Sequence, residues 1–297
     1  VGSNDGMLHA FNADTGEEIM AYVPEGVFNR LNLLTDPAYD HAFYVDGVLS
    51  AADVFFGGAW RTILVGTLGR GGNTVFALDV TNISTFTEAN VLWEFEHDEL
   101  GNVLGKPQIV RLNNGKWAVV LGNGYNSTSE KPELFVIDIE TGTLTTRITA
   151  GDETDAGNNG LSTALVVDTD SDFISDVVYA GDLNGKLWKF DFSSTNSSTW
   201  TVALGNTPLY QAVGPNGAVQ PITSKPAIAA HPNGGFLILF GTGRFFAQGD
   251  EVVSDSGTSV DTFYGIRDNG SAVTSVGARN NPPGSQPSGI LQPQSIV

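Results

Sequence analysis

One strand plan is written into this chain five times, and that repetition limits the fold more than any other feature. Each copy is an apolar strand ending in Gly, a loop of variable length, then a strand ending in an apolar residue followed by Asp or a near equivalent. The first runs from Val1-Gly2 to Leu8-His9-Ala10-Phe11-Asn12, and the second from Ile63-Leu64-Val65-Gly66 to Val75-Phe76-Ala77-Leu78-Asp79. Val119-Val120-Leu121-Gly122 leads to Leu134-Phe135-Val136-Ile137-Asp138, and Val178-Tyr179-Ala180-Gly181 to Leu187-Trp188-Lys189-Phe190-Asp191. The fifth joins Ile238-Leu239-Phe240-Gly241 to Thr262-Phe263-Tyr264-Gly265-Ile266. A preceding strand extends the plan: Gln108-Ile109-Val110 turns through Asn113-Asn114-Gly115 into Trp117-Ala118-Val119, and Ala227-Ile228-Ala229 turns through Pro232-Asn233-Gly234-Gly235 into Phe236-Leu237-Ile238. Asn-Gly pairs between apolar runs are hairpin turns. Val91-Leu92-Trp93-Glu94-Phe95 and Trp200-Thr201-Val202-Ala203-Leu204 supply a fourth, outer strand. Repetition at a regular period signals stacked units, and four-stranded units repeated in this way read as an all-β chain folded as a β-propeller. A β-sandwich does not repeat its strand signature.

Into one of these hairpins the sequence inserts charge. Asp168, Asp170, Asp172 and Asp176 fall in one short run between Leu165-Val166-Val167 and Val177-Val178-Tyr179. Two like charges about 4 Å apart repel by roughly 1 kcal/mol in water and roughly 4 kcal/mol at an effective dielectric near 20. A hard cation with oxygen ligands reverses that sign, and positions 1, 3, 5 and 9 are ligand positions of a calcium loop, with a backbone carbonyl used at position 7. The spacing predicts one Ca2+ held by Asp168, Asp170, Asp172, the Ile174 carbonyl and Asp176. Two departures from the helical form of such loops stand out: Phe173 replaces the turn glycine at position 6, and Tyr179 stands where a bidentate Glu is usual. The flanks are β-like, so the loop is predicted to be inserted between strands. Aligned on the repeat, it replaces the short Asn113-Asn114-Gly115 turn of the unit before. The competing reading is a solvated acidic turn.

Composition narrows the partners. A formal charge of −19 argues against nucleic acid or anionic membrane as targets. With no cysteine there is no disulfide framework, thiol nucleophile or thiolate metal site. No apolar run reaches the length of a membrane span. The start, Val1-Gly2-Ser3-Asn4, is not a signal peptide, and the chain is expected to be a fragment of something longer. Val27, Leu31 and Leu34 at i, i+4, i+7 predict one short amphipathic helix near residues 25–34. Residues 1–267 are assigned to the propeller and residues 268–297, rich in Gly, Pro and Ser, to an irregular C-terminal segment.

Other chemistry is thin. His9, His41, His97 and His231 lack zinc-ligand spacing. Gly66-Thr67-Leu68-Gly69-Arg70-Gly71-Gly72 lacks the Lys-Ser/Thr of a phosphate loop. Trp60, Trp93, Trp117 and Trp188 are read as packing between units, and Asp152, Glu153 and Asp155 as a solvated acidic cluster.

Several motifs together resemble the C-terminal domain of the PilC/PilY family of type IV pilus tip proteins. They are Gly2-Ser3-Asn4-Asp5-Gly6-Met7-Leu8-His9-Ala10-Phe11, Phe43-Tyr44-Val45-Asp46-Gly47, Gly57-Gly58-Ala59-Trp60-Arg61-Thr62, and Gly115-Lys116-Trp117-Ala118-Val119 with Gly122-Asn123-Gly124-Tyr125-Asn126. Gly181-Asp182-Leu183, Gln220-Pro221-Ile222-Thr223-Ser224 and Phe240-Gly241-Thr242-Gly243-Arg244 continue the likeness in the same order. The resemblance implies a modified, seven-bladed propeller, with extra blades built from degenerate segments such as residues 36–56 or 205–221. It implies export to the bacterial surface and the pilus tip, and pilus minor subunits and host or abiotic surface receptors as partners. It further implies calcium at Asp168, Asp170, Asp172 and Asp176, tied to control of pilus extension and retraction. No Arg-Gly-Asp tripeptide is present, so integrin binding is not expected.

The alternative is an enzyme, a quinoprotein dehydrogenase using pyrroloquinoline quinone. Asn12-Ala13-Asp14-Thr15-Gly16 and Asp138-Ile139-Glu140-Thr141-Gly142 resemble the Asp-x-x-Thr-Gly turns of such propellers, which also use calcium. The recurrent Trp docking motif is missing, since Ile19 and Leu144 stand where a Trp is wanted, and there is no cysteine pair. The expectation is therefore a non-enzymatic, calcium-binding, adhesive module.

Overall fold

A strand whose interior is apolar at successive positions needs cover on both faces, because successive side chains point to opposite sides of a sheet. Thr74–Asp79 and Glu133–Asp138 are buried along their whole length. The computed structural model, which describes residues 1–214, 217–252 and 261–273, supplies that cover by stacking sheet on sheet. Five antiparallel sheets follow one another in chain order among the described residues. The first pairs Leu8–Phe11 with Glu18–Tyr22. The second orders Ser50–Phe56, Ala59–Thr67, Thr74–Asp79 and Val91–Glu96, and the third Gln108–Arg111, Trp117–Gly122, Glu133–Asp138 and Leu144–Thr149. The fourth comprises Leu165–Val167, Val177–Gly181, Lys186–Asp191 and Thr201–Val202, with Tyr210–Gln211 also on Lys186–Asp191. The fifth is Ala227–Ala230, Phe236–Gly241 and Phe263–Asp268.

Each core cluster lies between two successive sheets. Val119, Leu121, Phe135 and Ile137 of the third sheet face Val54, Ile63 and Val65 of the second. Their alternating neighbours Ala118, Val120, Leu134 and Val136 face Val178, Ala180 and Trp188 of the fourth. Tyr179 and Leu187 turn the other way, onto Ile238, Phe240 and Ile266 of the fifth. Fully burying one such Val, Leu or Phe side chain is worth about 1.5–3 kcal/mol, so the stack rests on strand interiors and not on loops. Contacts that skip a sheet show that the stack curves about an axis. Lys225 Nζ donates to Gln108 Oε1 at 2.9 Å, from the fifth sheet to the third. The Phe246 ring stacks on Tyr125 with centroids 4.4 Å apart, again across the fourth.

The propeller reading of the repeat therefore holds, with five sheets in place of the five sequence units. Among the described residues the segments expected to build extra blades do not do so: Ser50–Phe56 is the leading strand of the second sheet, and Tyr210–Gln211 joins the fourth. The expected amphipathic helix is an 11-residue 3-10 helix, Glu25–Thr35, with Val27 buried. Tertiary contacts override α-helical spacing there. Both Glu94 carboxylate oxygens accept the Glu25 N–H at 2.9 Å, and Tyr44 Oη donates to the Arg30 carbonyl at 3.0 Å. Trp200 lies outside the outer strand, which is only Thr201–Val202, and the chain then turns through left-handed Leu204 and Gly205. Of the tryptophans, Trp93 and Trp188 pack between sheets, but Trp60 is 63% exposed, edge-on to Trp117 of the next sheet. Asp155 is not solvated: it is buried and ion-paired with Lys186. The last strand among the described residues ends at Asp268, whose carboxylate meets Lys189 Nζ and Tyr179 Oη, each at 2.6 Å, and Val273 is buried. The rest of the predicted irregular segment, residues 274–297, lies outside the described residues.

Candidate metal centre

The acidic loop sits where the repeat put it. Val167 pairs with Val177 at the end of the first hairpin of the fourth sheet, and the Asp176 N–H donates to the Val167 carbonyl at 2.9 Å to close the loop's base. Inside it the carboxylates gather backbone donors. Asp168 accepts from Ser171 N and Phe173 N, both at 2.7 Å, and Asp172 Oδ1 accepts from Ile174 N at 2.8 Å. Asp176 Oδ2 takes the Thr169 N–H at 2.8 Å and its hydroxyl at 2.7 Å. Ser171 and Phe173 adopt left-handed backbone, with φ of 70° and 68°. Phe173 thus takes up at position 6 the kind of conformation that usually calls for glycine, and its side chain is 89% exposed. That geometry explains how the loop turns without the expected residue.

Asp168, Asp170 and Asp176 each offer a carboxylate oxygen within 4.8 Å of the others. Two oxygens on one calcium ion, each about 2.3–2.6 Å from it, stand no more than about 5 Å apart. The three therefore fit a hard cation by spacing and by donor type. Asp172 is outside this trio, its carboxylate engaged with the Ile174 N–H, and Ile174 is half-buried in the loop's closing limb. Among the described residues, no Lys or Arg pairs with any of the four aspartates; the nearby Lys189 is taken by Asp268. Charge crowding acts on the carboxyls themselves. Partial desolvation and the charges of Asp172, Asp176 and Asp168 push the Asp170 carboxyl above its ordinary value. At Asp168 desolvation pulls upward too, but the N–H groups of Phe173, Ser171, Asp170 and Asp172 hold it below that value.

Two contributors were not visible in the spacing. Asn113, in the turn of the third sheet, donates its amide to Asp176 Oδ1 at 3.0 Å, to the Phe192 carbonyl at 3.1 Å and to the Ser175 carbonyl at 3.3 Å. It fastens the loop to the neighbouring sheet. Thr169 orients Asp176 from within the loop. Only the alignment of the loop on the Asn113-Asn114-Gly115 turn hinted that the two hairpins are neighbours.

The turns shared with quinone-binding propellers are closed by their own side chains. Asp138 Oδ1 accepts from Glu140 N at 3.0 Å and Thr141 N at 3.1 Å, and Asn12 Oδ1 from Asp14 N at 2.8 Å and Thr15 N at 3.1 Å. Side chains that cap their own backbone in this way build a turn.

Comparison with known proteins bears on the same point. The family model of the PilY1 beta-propeller domain matches residues 1–295. A type IV pilus biogenesis factor PilY1 homolog of Xylella fastidiosa is 47% identical over 289 residues, covering 92% of this chain and 19% of its own length. Type IV pilus biogenesis factor PilY1 of Pseudomonas aeruginosa is 44% identical over 291 residues, covering 90% of this chain and 24% of its own. The crystal structure of the Pseudomonas aeruginosa PilY1 C-terminal domain superposes with a TM-score of 0.80 at 41% identity, over 92% of this chain and 57% of that one. The chain thus spans about a fifth to a quarter of the curated relatives' length. Those relatives are type IV pilus biogenesis factors, and the quinoprotein alternative is not favoured.

Proposed function

The chain belongs to the PilY1 β-propeller domain family, and from that premise we propose that it is the calcium-binding propeller of a type IV pilus biogenesis factor carried on the bacterial surface, at the pilus tip. Occupancy of the residue 168–176 loop by Ca2+ sets the charge and shape of the loop face met by pilus minor subunits and by host or abiotic receptors. In this way it supports attachment and the control of pilus extension and retraction.

One observation carries the reading. Three carboxylates converge, without a cationic partner among the described residues, in a hairpin for which the adjacent sheet needs only an Asn-Gly turn. Asp168, Asp170 and Asp176 would hold the ion, and Asp172, the Ile174 carbonyl and water would complete six to seven oxygens. Calcium supplies positive charge where the loop holds an excess of negative, which a partner protein can sense. The strands on either side are buried between sheets, so the ion acts on the loop face while the stack persists. Among the described residues no helix is long and apolar enough to cross a membrane.

The test is Asp170→Ala in the full-length factor. Pilus number, twitching and surface attachment should change while protein level and secretion stay constant. Normal pilus behaviour from a variant shown not to bind calcium would remove the regulatory role.

A further inference from the structure

Six lysines serve a chain with 33 carboxylates. Four are ion-paired: Lys116 with Asp138, Lys131 with Glu153, Lys186 with Asp155 and Lys189 with Asp268. Lys106 and Lys225, which have no carboxylate partner among the described residues, are linked to each other. Lys225 Nζ donates to Gln108 Oε1 at 2.9 Å, and Gln108 Nε2 donates to the Lys106 carbonyl at 3.0 Å, so one amide links both residues. Each lysine precedes the proline that opens an inner strand, in the third and fifth sheets respectively. The surrounding protein and the Lys106 charge together push the Lys225 ammonium below its ordinary value. The Lys106 charge thus acts on Lys225, and among the described residues no carboxylate pairs with either lysine; two like charges that feel one another lower their repulsion by taking up an anion.

A cavity of about 230 Å³ opens beside Lys106, walled by the inner ends of the third, fourth and fifth sheets. Lys106 forms part of its wall, with Leu121, Leu161 and Thr223. The stacked rings of Tyr125 and Phe246 cover it. Ser162, also in the wall, has a buried hydroxyl with no hydrogen-bond partner. The volume is smaller than the roughly 300–1,000 Å³ of pockets for drug-sized ligands, so an occupant is small.

We propose that this axial cavity is a binding site for an organic carboxylate, its apolar body against Leu121, Leu161, Tyr125 and Phe246 and its charge shared by Lys106 and Lys225. The site is separate from the acidic loop, which turns on the hairpin end of the fourth sheet. The carboxylate comes either from a free small acid or from the C-terminal carboxylate of a peptide, and both present the same group.

The experiment titrates the purified protein with 3-phenylpropionate and with a short peptide ending in a free C-terminal Phe, each against its neutral amide, by calorimetry and NMR. At least one acid should bind at least tenfold more tightly than its amide. Lys106→Met with Lys225→Met should abolish that preference, and Lys116→Met, a paired lysine elsewhere, should leave it intact. Binding by the peptide alone would identify a protein terminus as the source, and binding by 3-phenylpropionate would show that a free acid suffices. Equal affinity for acid and amide, a double variant that binds normally, or no binding at millimolar concentration would overturn the proposal.

Discussion

In the third sheet the turn between the first two strands is made by Asn113, Asn114 and Gly115; in the fourth the same turn is the loop from Asp168 to Asp176. The strands on either side correspond residue for residue, with Ile109 opposite Val119 in one and Val166 opposite Val178 in the other. The shorter turn satisfies itself. Gly115 takes left-handed backbone at φ 81°, its N–H donates to the Leu112 carbonyl at 2.9 Å, and Lys116 N donates to Asn114 Oδ1 at 3.1 Å. The longer one adopts left-handed backbone at a serine and a phenylalanine and collects like charge. A turn that only has to reverse the chain uses glycine and amides. Carboxylates at ligand spacing add a requirement that the chain cannot meet by itself, and that difference, inside one repeating frame, is what marks the loop as a site.

The comparison breaks most sharply at the carboxylates. Asp170→Ala combined with Asp176→Ala should weaken calcium binding at least hundredfold, about 2.7 kcal/mol at 1.36 kcal/mol per factor of ten, as read by calorimetry. The matching change in the third sheet, Asn114→Ala, should leave binding untouched. Calcium binding by the double variant at the wild-type affinity would place the ion elsewhere.

Asn113 joins the two turns, so removing it affects both. Asn113→Ala leaves Asp176 Oδ1 and the Phe192 carbonyl without their donor, a loss of about 1–3 kcal/mol in a thermal or denaturant melt. Calcium affinity should fall several-fold with it. A variant with wild-type stability would mean that the loop does not lean on the neighbouring sheet.

Glycine chemistry separates the turns by sign. Gly115→Ala meets no atom within 4 Å, so its cost of about 1–2 kcal/mol is purely conformational. Phe173→Gly moves the other way, relieving a left-handed Phe at some cost in unfolded-state entropy, and should stabilise by less than 1 kcal/mol. Both are read from denaturant midpoints at constant m-value.

The smallest effect is the pH response. The Asp170 carboxyl is raised by desolvation and by its acidic neighbours, so the ion-free fold keeps a proton there that the unfolded chain has released. Stability of the ion-free protein therefore falls as pH rises from the ordinary Asp range through that raised value. Calcium needs the ionised form, so its affinity rises over the same window and is flat above it. In Asp170→Asn both slopes should flatten, which paired melts and calcium titrations would show.

Much of this was legible in the residues. The Gly-ended apolar runs located the central strands of the second, third and fourth sheets, because strands buried on both faces read as unbroken apolar runs; the Glu18–Tyr22 partner of the first sheet, exposed at three of its five positions, gave no such run. The carboxylate spacing located the loop. Hidden from the sequence were contacts between residues far apart in the chain: the Asn113 amide on Asp176, the Lys186 partner of Asp155, and Glu94 capping the 3-10 helix at Glu25. Trp60 and Trp188 look alike as strand residues, yet Trp60 beside the Gly57-Gly58 turn is open to solvent and Trp188 is buried between sheets with its Nε1–H on Asp182 Oδ2 at 2.9 Å. Distance along the strand from the turn, and not residue type, decides between them.

The central claim is that the fourth sheet's loop, and no other turn of the repeat, holds calcium. Crystals grown in millimolar calcium and measured for anomalous scattering test it directly. One anomalous peak should lie about 2.3–2.6 Å from carboxylate oxygens of Asp168, Asp170 and Asp176, with the Asn113-Asn114-Gly115 turn empty. No peak at that loop, or the ion bound at another site, would contradict the account.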